Sequence, residues 1–441
     1  MHRTAVTVIC ASLLLSSSAL ASGFALRESS GSSLGLSYAG AAANGDSASN
    51  LNFNPGLLGD VKDFDISSNA IGLLPNTSGT FTATTSAGTP VSGNTHPKDI
   101  VNTALVGSLD VRYRLTDQLI IGLTTSSPWG MITDYDSSVT RYYNMKSDVK
   151  TYNVTPMIGW QPVPEFTIAA GVQVQYIKGT LTKAIDFGTI GALNHIPGSI
   201  PGAFDGYVAL KAQTWGEGFV VGAAWNPTPS LSLGVSYRSQ IDNTLKGTEN
   251  FTLDSAGIGA TLKAVTGMFV NGPATAKIAT PSVLTFGGKW QASDQFTILV
   301  GADYTGWDAF NTLTAHSANA HQPDDVSIMN WNTSWSGSLG VEYKPVEDWT
   351  LRLGTAYDET PTVNVYRTPG IPDGSRYWIS GGVGYRLNDH MDVDLSIARL
   401  IAQKGAIALS QADAGNAARG NLTGTVSLAV TLIGFEVSYH L

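Results

Sequence analysis

The chain has 441 residues, of which only 13% are charged and 48 are glycine, and its formal net charge is −9. That acidic balance argues against a nucleic-acid partner. No stretch reaches the roughly 18–20 apolar residues that a membrane helix needs, so a membrane location requires a closed barrel.

Residues 1–21 read as a secretory signal. Arg3 gives a positive start, Ala5 to Leu15 a short apolar run, and Ala19-Leu20-Ala21 a small-x-small cleavage site. Cys10 falls inside this segment, so the mature chain is expected to carry no cysteine and no disulfide. Residues 22–60 follow, mostly Ser, Gly and Ala with no strand or helix period, and close on the rigid corner Asn54-Pro55-Gly56.

From residue 61 to 441 the chain alternates at period two. Leu231, Leu233, Val235 and Tyr237 alternate with Ser232, Gly234 and Ser236, and Met391, Val393, Leu395 and Ile397 with Asp392, Asp394 and Ser396. One apolar and one polar face suits a barrel with lipid outside and water within. The pattern gives fourteen strands, near 61–74, 99–115, 118–127, 147–163, 165–183, 206–227, 229–250, 275–292, 294–313, 328–344, 348–358, 374–387, 389–400 and 421–441. Short turns alternate with long loops at 75–98, 128–146, 184–205, 251–274, 314–327, 359–373 and 401–420. An even strand count with loops sorted by length marks an outer-membrane barrel, its short turns periplasmic.

Trp160, Trp225, Trp290, Tyr343, Trp349 and Tyr385 lie by the short turns, where a periplasmic aromatic girdle belongs. Trp129, Trp307, Trp331, Trp335, Tyr357 and Trp378 lie near the long loops. The last strand ends Phe435, Val437, Tyr439, Leu441, but Val426, Leu428, Val430 and Leu432 keep the opposite phase, which predicts a bulge near Leu432-Ile433. A barrel of fourteen strands is either an open pore or plugged. Residues 22–60 are the piece long enough to act as a hatch, the other reading being a disordered tail.

The matching stretches "SGFALRESSGSSLGLSYAGAA", "DSASNLNFNPG", "SSPWGMITDYD", "TWGEGFVVGAAWNPTPSLSLGVSYRSQI", "WTLRLGTAYDETP" and "IPDGSRYWISGGVGYRL" occur in this order along the chain. Together they resemble the FadL-type outer-membrane transporters of long-chain fatty acids and other hydrophobic compounds. The resemblance implies a monomeric fourteen-strand antiparallel barrel in a Gram-negative outer membrane, with an N-terminal hatch in its lumen. It also implies passive uptake: capture on an apolar groove of the outer loops, transfer to a pocket bounded by the hatch, and release sideways into the membrane lipid at an inward kink of the third strand. On this resemblance Phe24 reaches into the pocket, and Asn54-Pro55 matches a family Asn-Pro-Ala placed near the kinked strand, with Gly56 in place of the alanine. Leu441 stands where the family ends on an aromatic.

The loops fit a greasy ligand. Phe187, Ile190, Leu193, Ile196, Ile200 and Phe204 lie in one, and Ile258, Leu262, Val265 and Phe269 in another, spaced for one apolar helical face. These clusters either capture ligand or pack on each other to cap the barrel. A fatty-acid carboxylate would need a cation, and Arg238 and Arg352 fall on the lumen phase of their strands. Pairing of such arginines to acids such as Asp358 is the plainer expectation. Gly31-Ser32-Ser33-Leu34-Gly35 matches a nucleophile elbow but lacks its strand–turn–helix context. His316 and His321 have no third metal ligand at suitable spacing. No enzyme, cofactor or metal is expected. An aromatic-hydrocarbon channel of the same fold is the near alternative, a surface adhesin or general porin the distant one.

Overall fold

The computed structural model describes residues 22–441, and the expected signal lies outside them. Twenty hydrogen-bonded segments form one sheet. Taking segments on a common course as one strand, they make a closed antiparallel barrel of fourteen. The unbroken strands are β1 (Phe64–Thr84), β2 (Ala104–Arg114), β4 (Lys146–Val163), β5 (Phe166–Asp186), β6 (Asp205–Thr228), β11 (Trp349–Asp358), β12 (Arg376–Asn388) and β14 (Asn421–His440). The interrupted ones are β3 (Leu119–Ser126, Gly130–Asp134), β7 (Leu231–Arg238, Ile241–Thr252), β8 (Gly272–Thr280, Val283–Gln291), β9 (Phe296–Thr305, Thr312–Ser317), β10 (Asp325–Ile328, Ser334–Val346) and β13 (Met391–Ala402, Gly405–Leu409). β1 pairs with β14 from Asp65 opposite His440 to Thr84 opposite Asn421, which closes the sheet and leaves no edge in lipid.

Alternation works as the sequence suggests across the membrane band. Val235, Tyr237, Leu395, Ile397 and Phe435 are exposed on the outside, while Asp65, Asp110, Arg112, Glu342 and Glu436 are buried in the lumen. Trp160, Trp225, Trp290, Trp349 and Tyr385 are exposed near the short turns, with Trp349 and Tyr385 4.7 Å apart.

Three expectations change. β1 continues to Thr84, ten residues beyond its expected end, because its outer part leaves the membrane and needs no apolar face. Pro75 is tolerated there since β2 stops pairing at Leu73 opposite Ala104. The bulge near Leu432 is absent: β14 holds one register throughout. The hydrophobic phase switches because Leu428, Val430 and Leu432 pack inward on a filled lumen, while Ile433 and Phe435 face lipid. Of the aromatics near the long loops, Trp335 and Tyr357 are exposed, but Trp129, Trp307, Trp331 and Trp378 are buried inside.

The amino-terminal segment fills the lumen as a hatch. It runs through a short helix, α1 (Gly31–Leu34), and 3-10 turns at Ala48–Asn52 and Pro55–Asp60. Its serines answer the charged lumen. Buried Glu436 accepts bonds from Ser32 N (2.9 Å), Ser47 Oγ (2.5 Å) and Ser49 Oγ (2.9 Å). Small residues permit this approach and hydroxyls satisfy the carboxylate, which explains a composition without a period. Ser33, of the elbow-like stretch, caps nothing reactive and donates to Asn50 Oδ1 at 2.7 Å.

Candidate functional site

Near the outer ends of β5–β8 the alternation inverts. Ile177, Leu210, Leu245 and Ile278 turn inward and are buried. With Phe24 of the hatch, Met131, Phe310 and Leu313 they line a cavity of about 670 Å³, within the roughly 300–1,000 Å³ common for small-molecule sites. Ile190 and Phe269 of the outer loops also line it. Phe24 is 2% exposed and meets Trp307 at 4.9 Å, Phe310 at 5.5 Å, Trp331 at 5.9 Å and Trp129 at 6.1 Å between ring centroids. Gly23 makes this packing possible: its φ is +65°, and a Cβ there would lie 2.5 Å from the Trp331 ring. Ser22 N donates to Asp358 Oδ2 at 3.1 Å and Gly23 N to Asp373 Oδ2 at 3.0 Å, which anchors the hatch's amino end.

The same end sits in a break of β3. Between Ser126 and Gly130 the strand gives way to Ser127-Pro128-Trp129. There Leu26 N donates to Pro128 O (2.8 Å) and Gly130 N to Phe24 O (2.9 Å), so the hatch replaces a strand partner. β2 pairs with β3 only from Asp110 opposite Thr124 to Arg114 opposite Ile120. Thr125 Oγ1 then bonds Leu109 O (3.2 Å) in place of the ladder. Pairing resumes only at Val101 with Thr133, so the wall is unladdered beside the cavity.

At the cavity's outer end Lys183 and Arg419 both pair with Asp325, Lys183 at 2.5 Å. Asp325 balances one of these two cations and leaves the cluster with a net positive charge. Sequence reasoning missed this cluster. Its members are 236 residues apart at the extremes (Lys183 to Arg419), and two of them lie in segments read as loops.

Arg238 and Arg352 do face the lumen but line other cavities. Arg238 donates to Gln173 Oε1 and to Asn52 O (3.0 Å), beside a space of about 110 Å³. Arg352 pairs with Glu342 at 2.8 Å and with Asp394, at the periplasmic mouth of the lumen. Asp358 pairs instead with Arg376. His316 bonds Asp324 at 2.6 Å.

Asn54 is fully buried, and its Nδ2 donates to Ala42 O (2.7 Å) and to Ala223 O of β6 (2.9 Å) while Oδ1 accepts from Gly56 N (2.8 Å). Asn54 thus docks on β6 and not on β3. It is Leu58, four residues on, that lies against Gly122 of β3. A Cβ on Gly56 would lie 2.5 Å from the Ala223 carbonyl carbon, which explains why the chain has glycine after Asn54-Pro55.

In the loops, helices α2 (Phe187–Leu193) and α3 (Ile258–Thr266) pack on each other. Phe187, Leu262 and Phe269 are buried between them, with Ile190 and Ile196 partly buried. Leu193, Ile200 and Val265 remain exposed at 64%, 58% and 79%. The loops therefore both cap the barrel and present apolar side chains outward.

The family model for outer membrane protein transport protein (OMPP1/FadL/TodX) matches residues 12–441. The chain is 26% identical to a long-chain fatty acid transport protein of Escherichia coli O6:H1, over 89% of each chain. It is 25% identical to outer membrane protein P1 of Haemophilus influenzae, again over 89% of each. Among solved structures a FadL homologue of Pseudomonas aeruginosa superposes with a TM-score of 0.86 at 22% identity, covering 95% of this chain and 99% of that one. The toluene transporter TbuX of Ralstonia pickettii gives 0.65 at 18%, covering 93% and 98%. A plugged fourteen-strand barrel with an apolar cavity behind a broken strand, matched along its length, belongs to the FadL/TodX family of outer-membrane transporters of hydrophobic compounds.

Proposed function

We propose that this protein takes up long-chain fatty acids, or acids of similar shape, by energy-independent diffusion. The observation that carries this reading is the cavity itself: an apolar chamber in an otherwise polar lumen, with Lys183 and Arg419 sharing one carboxylate at its outer end. An acyl chain would lie among Ile177, Leu210, Leu245 and Ile278, its carboxylate held by cations that a plain hydrocarbon would not need. Leu193, Ile200 and Val265 offer the first contact from outside. Withdrawal of Phe24 and Leu26 from the β3 break would open a side exit toward lipid.

A second reading, uptake of aromatic hydrocarbons, draws on the ring cluster about Phe24, where a planar ligand could take the phenyl's place. Uptake of labelled oleate and labelled toluene separates the two, in cells lacking their own transporter and supplied with this chain or its Lys183→Gln/Arg419→Gln variant. The fatty-acid reading expects oleate to enter and the variant to slow it severalfold. Entry of toluene alone transfers the assignment to the second reading, and entry of neither returns the chain to the adhesin or porin class.

A further inference from the structure

The inverted alternation that builds the cavity has an outward consequence. Where Ile177, Leu210, Leu245 and Ile278 turn in, their neighbours Lys178, Lys211, Lys246 and Lys277 turn out, and all four are exposed. They sit on consecutive strands β5 to β8. Lys178 is opposite Gln213, two residues from Lys211. Lys211 is opposite Thr248, two from Lys246, and Lys246 opposite Thr275, two from Lys277. Each is therefore the diagonal neighbour of the next, at about 7–8 Å. Lys150 of β4 extends the row and stands directly opposite Lys178. Like charges so placed repel across a ladder, which the fold gains nothing from unless an anion lies over them.

The available acids do not supply it. Asp148 answers only Lys150, at 3.3 Å. Asp242 is diagonal to Lys277 and is bonded by Gln240 at 2.7 Å. Glu217 is opposite Val174, four residues toward the periplasm from Lys178, or about 13 Å along the strand. Lys178, Lys211 and Lys246 form no ion pair among the described residues.

The level of the row identifies what faces it. On the same outward face, Tyr152 and Tyr176 stack at 6.4 Å and Tyr176 meets Trp215 at 5.2 Å, forming the outer aromatic belt at the head-group boundary. Lys178 follows Tyr176 by two residues and Lys211 lies four beyond Trp215, on the loop side. Lysine stems here extend along the wall and hold their ammonium groups at head-group height. The geometry points to a docking site for the phosphorylated head group of an outer-leaflet glycolipid: acyl chains against the apolar band below the belt, phosphates across Lys178, Lys211 and Lys246. The face beside the cavity would thereby be held in contact with lipid.

Binding of bis-phosphorylated lipid A to the purified, detergent-solubilised barrel tests this by native mass spectrometry and titration. The triple variant Lys178→Gln/Lys211→Gln/Lys246→Gln should bind it roughly a hundredfold more weakly, with oleate uptake unchanged. Enzymatically dephosphorylated lipid A should bind the native chain no better than it binds the variant. Should the triple variant fold poorly by its heat-modifiable mobility, the three single variants serve, each expected to weaken binding about fivefold. Equal binding by native and variant proteins would overturn the proposal. So would native binding that ignores the phosphates, or competition by a soluble phosphorylated sugar as effective as the lipid, which would reduce the row to a general anion patch.

Discussion

Phe24 and Glu28 act on the hatch in opposite ways. The Phe24 ring is nearly enclosed by four others, so Phe24→Ala removes packing worth about 3 kcal/mol or more and should loosen the amino end. Oleate uptake should slow, because the ring is also cavity wall. Glu28 is buried in the hatch, outside the spanning strands, and neither carboxylate oxygen has a hydrogen-bond partner among the described residues. Burial pushes its carboxyl up to about 7 from an ordinary 4.5. The docked hatch therefore favours the protonated acid. Its contribution to docking is fully present below pH 4.5 and is lost as the pH rises toward about 7. Hydrogen exchange in residues 22–35 should accordingly speed up across that window, and Glu28→Gln should flatten the dependence. Such a buried acid is invisible to sequence inspection, since nothing local says that Ser/Gly-rich chain around it will be enclosed.

At the scale of elements, the corner at Asn54-Pro55-Gly56 depends on close backbone approach. Gly56→Ala drives a methyl group into β6, and Asn54→Ala leaves the Ala42 and Ala223 carbonyls short of a donor. Both should make the bond region 54–60 more susceptible to limited proteolysis than in the native barrel, Gly56→Ala more so. In the loops, Leu262→Asp should disrupt the α2–α3 pair, whereas Val265→Asp should leave it folded and slow uptake only at low ligand concentration. Strand positions across the membrane were legible because lipid imposes a strict apolar face. The outer ends were not: there water replaces lipid outside while the packed interior turns the inner face apolar. The same inversion that hid the outer half of β1 produced the false bulge in β14. Loop helices α2 and α3 were legible as apolar clusters, but which side chains face out depended on the pairing of two distant loops.

For the molecule as a whole, the buried ion pairs at the periplasmic end of the lumen are separate from the charged cluster beside the apolar cavity. Arg352 ties Glu342 of β10 to Asp394 of β13, and removing it would leave two buried carboxylates without their shared cation. Arg352→Ala should cost about 3–5 kcal/mol and lower the temperature at which the barrel loses its folded electrophoretic mobility, with oleate affinity little changed. Lumen-facing phase alone made Arg238 and Arg352 candidates, because alternation tells inside from outside but not which level of the lumen a residue occupies. Phe24 became a candidate through the family resemblance and does line the cavity, whereas the Lys183–Asp325–Arg419 cluster is visible only in the tertiary structure. On the proposed route, passage from cavity to lipid would require the hatch's amino end to leave the break in β3, where Ala25 is the bridge partner of Trp129. Antiparallel partners lie within disulfide reach, and the chain's one cysteine, Cys10, falls in the expected signal. Oleate uptake by the Ala25→Cys/Trp129→Cys protein, oxidised and then reduced, measures that movement. Uptake should be abolished by oxidation and restored by reductant. Equal uptake in the two states would mean that ligand passes with the hatch in place, and the side exit would have to be abandoned.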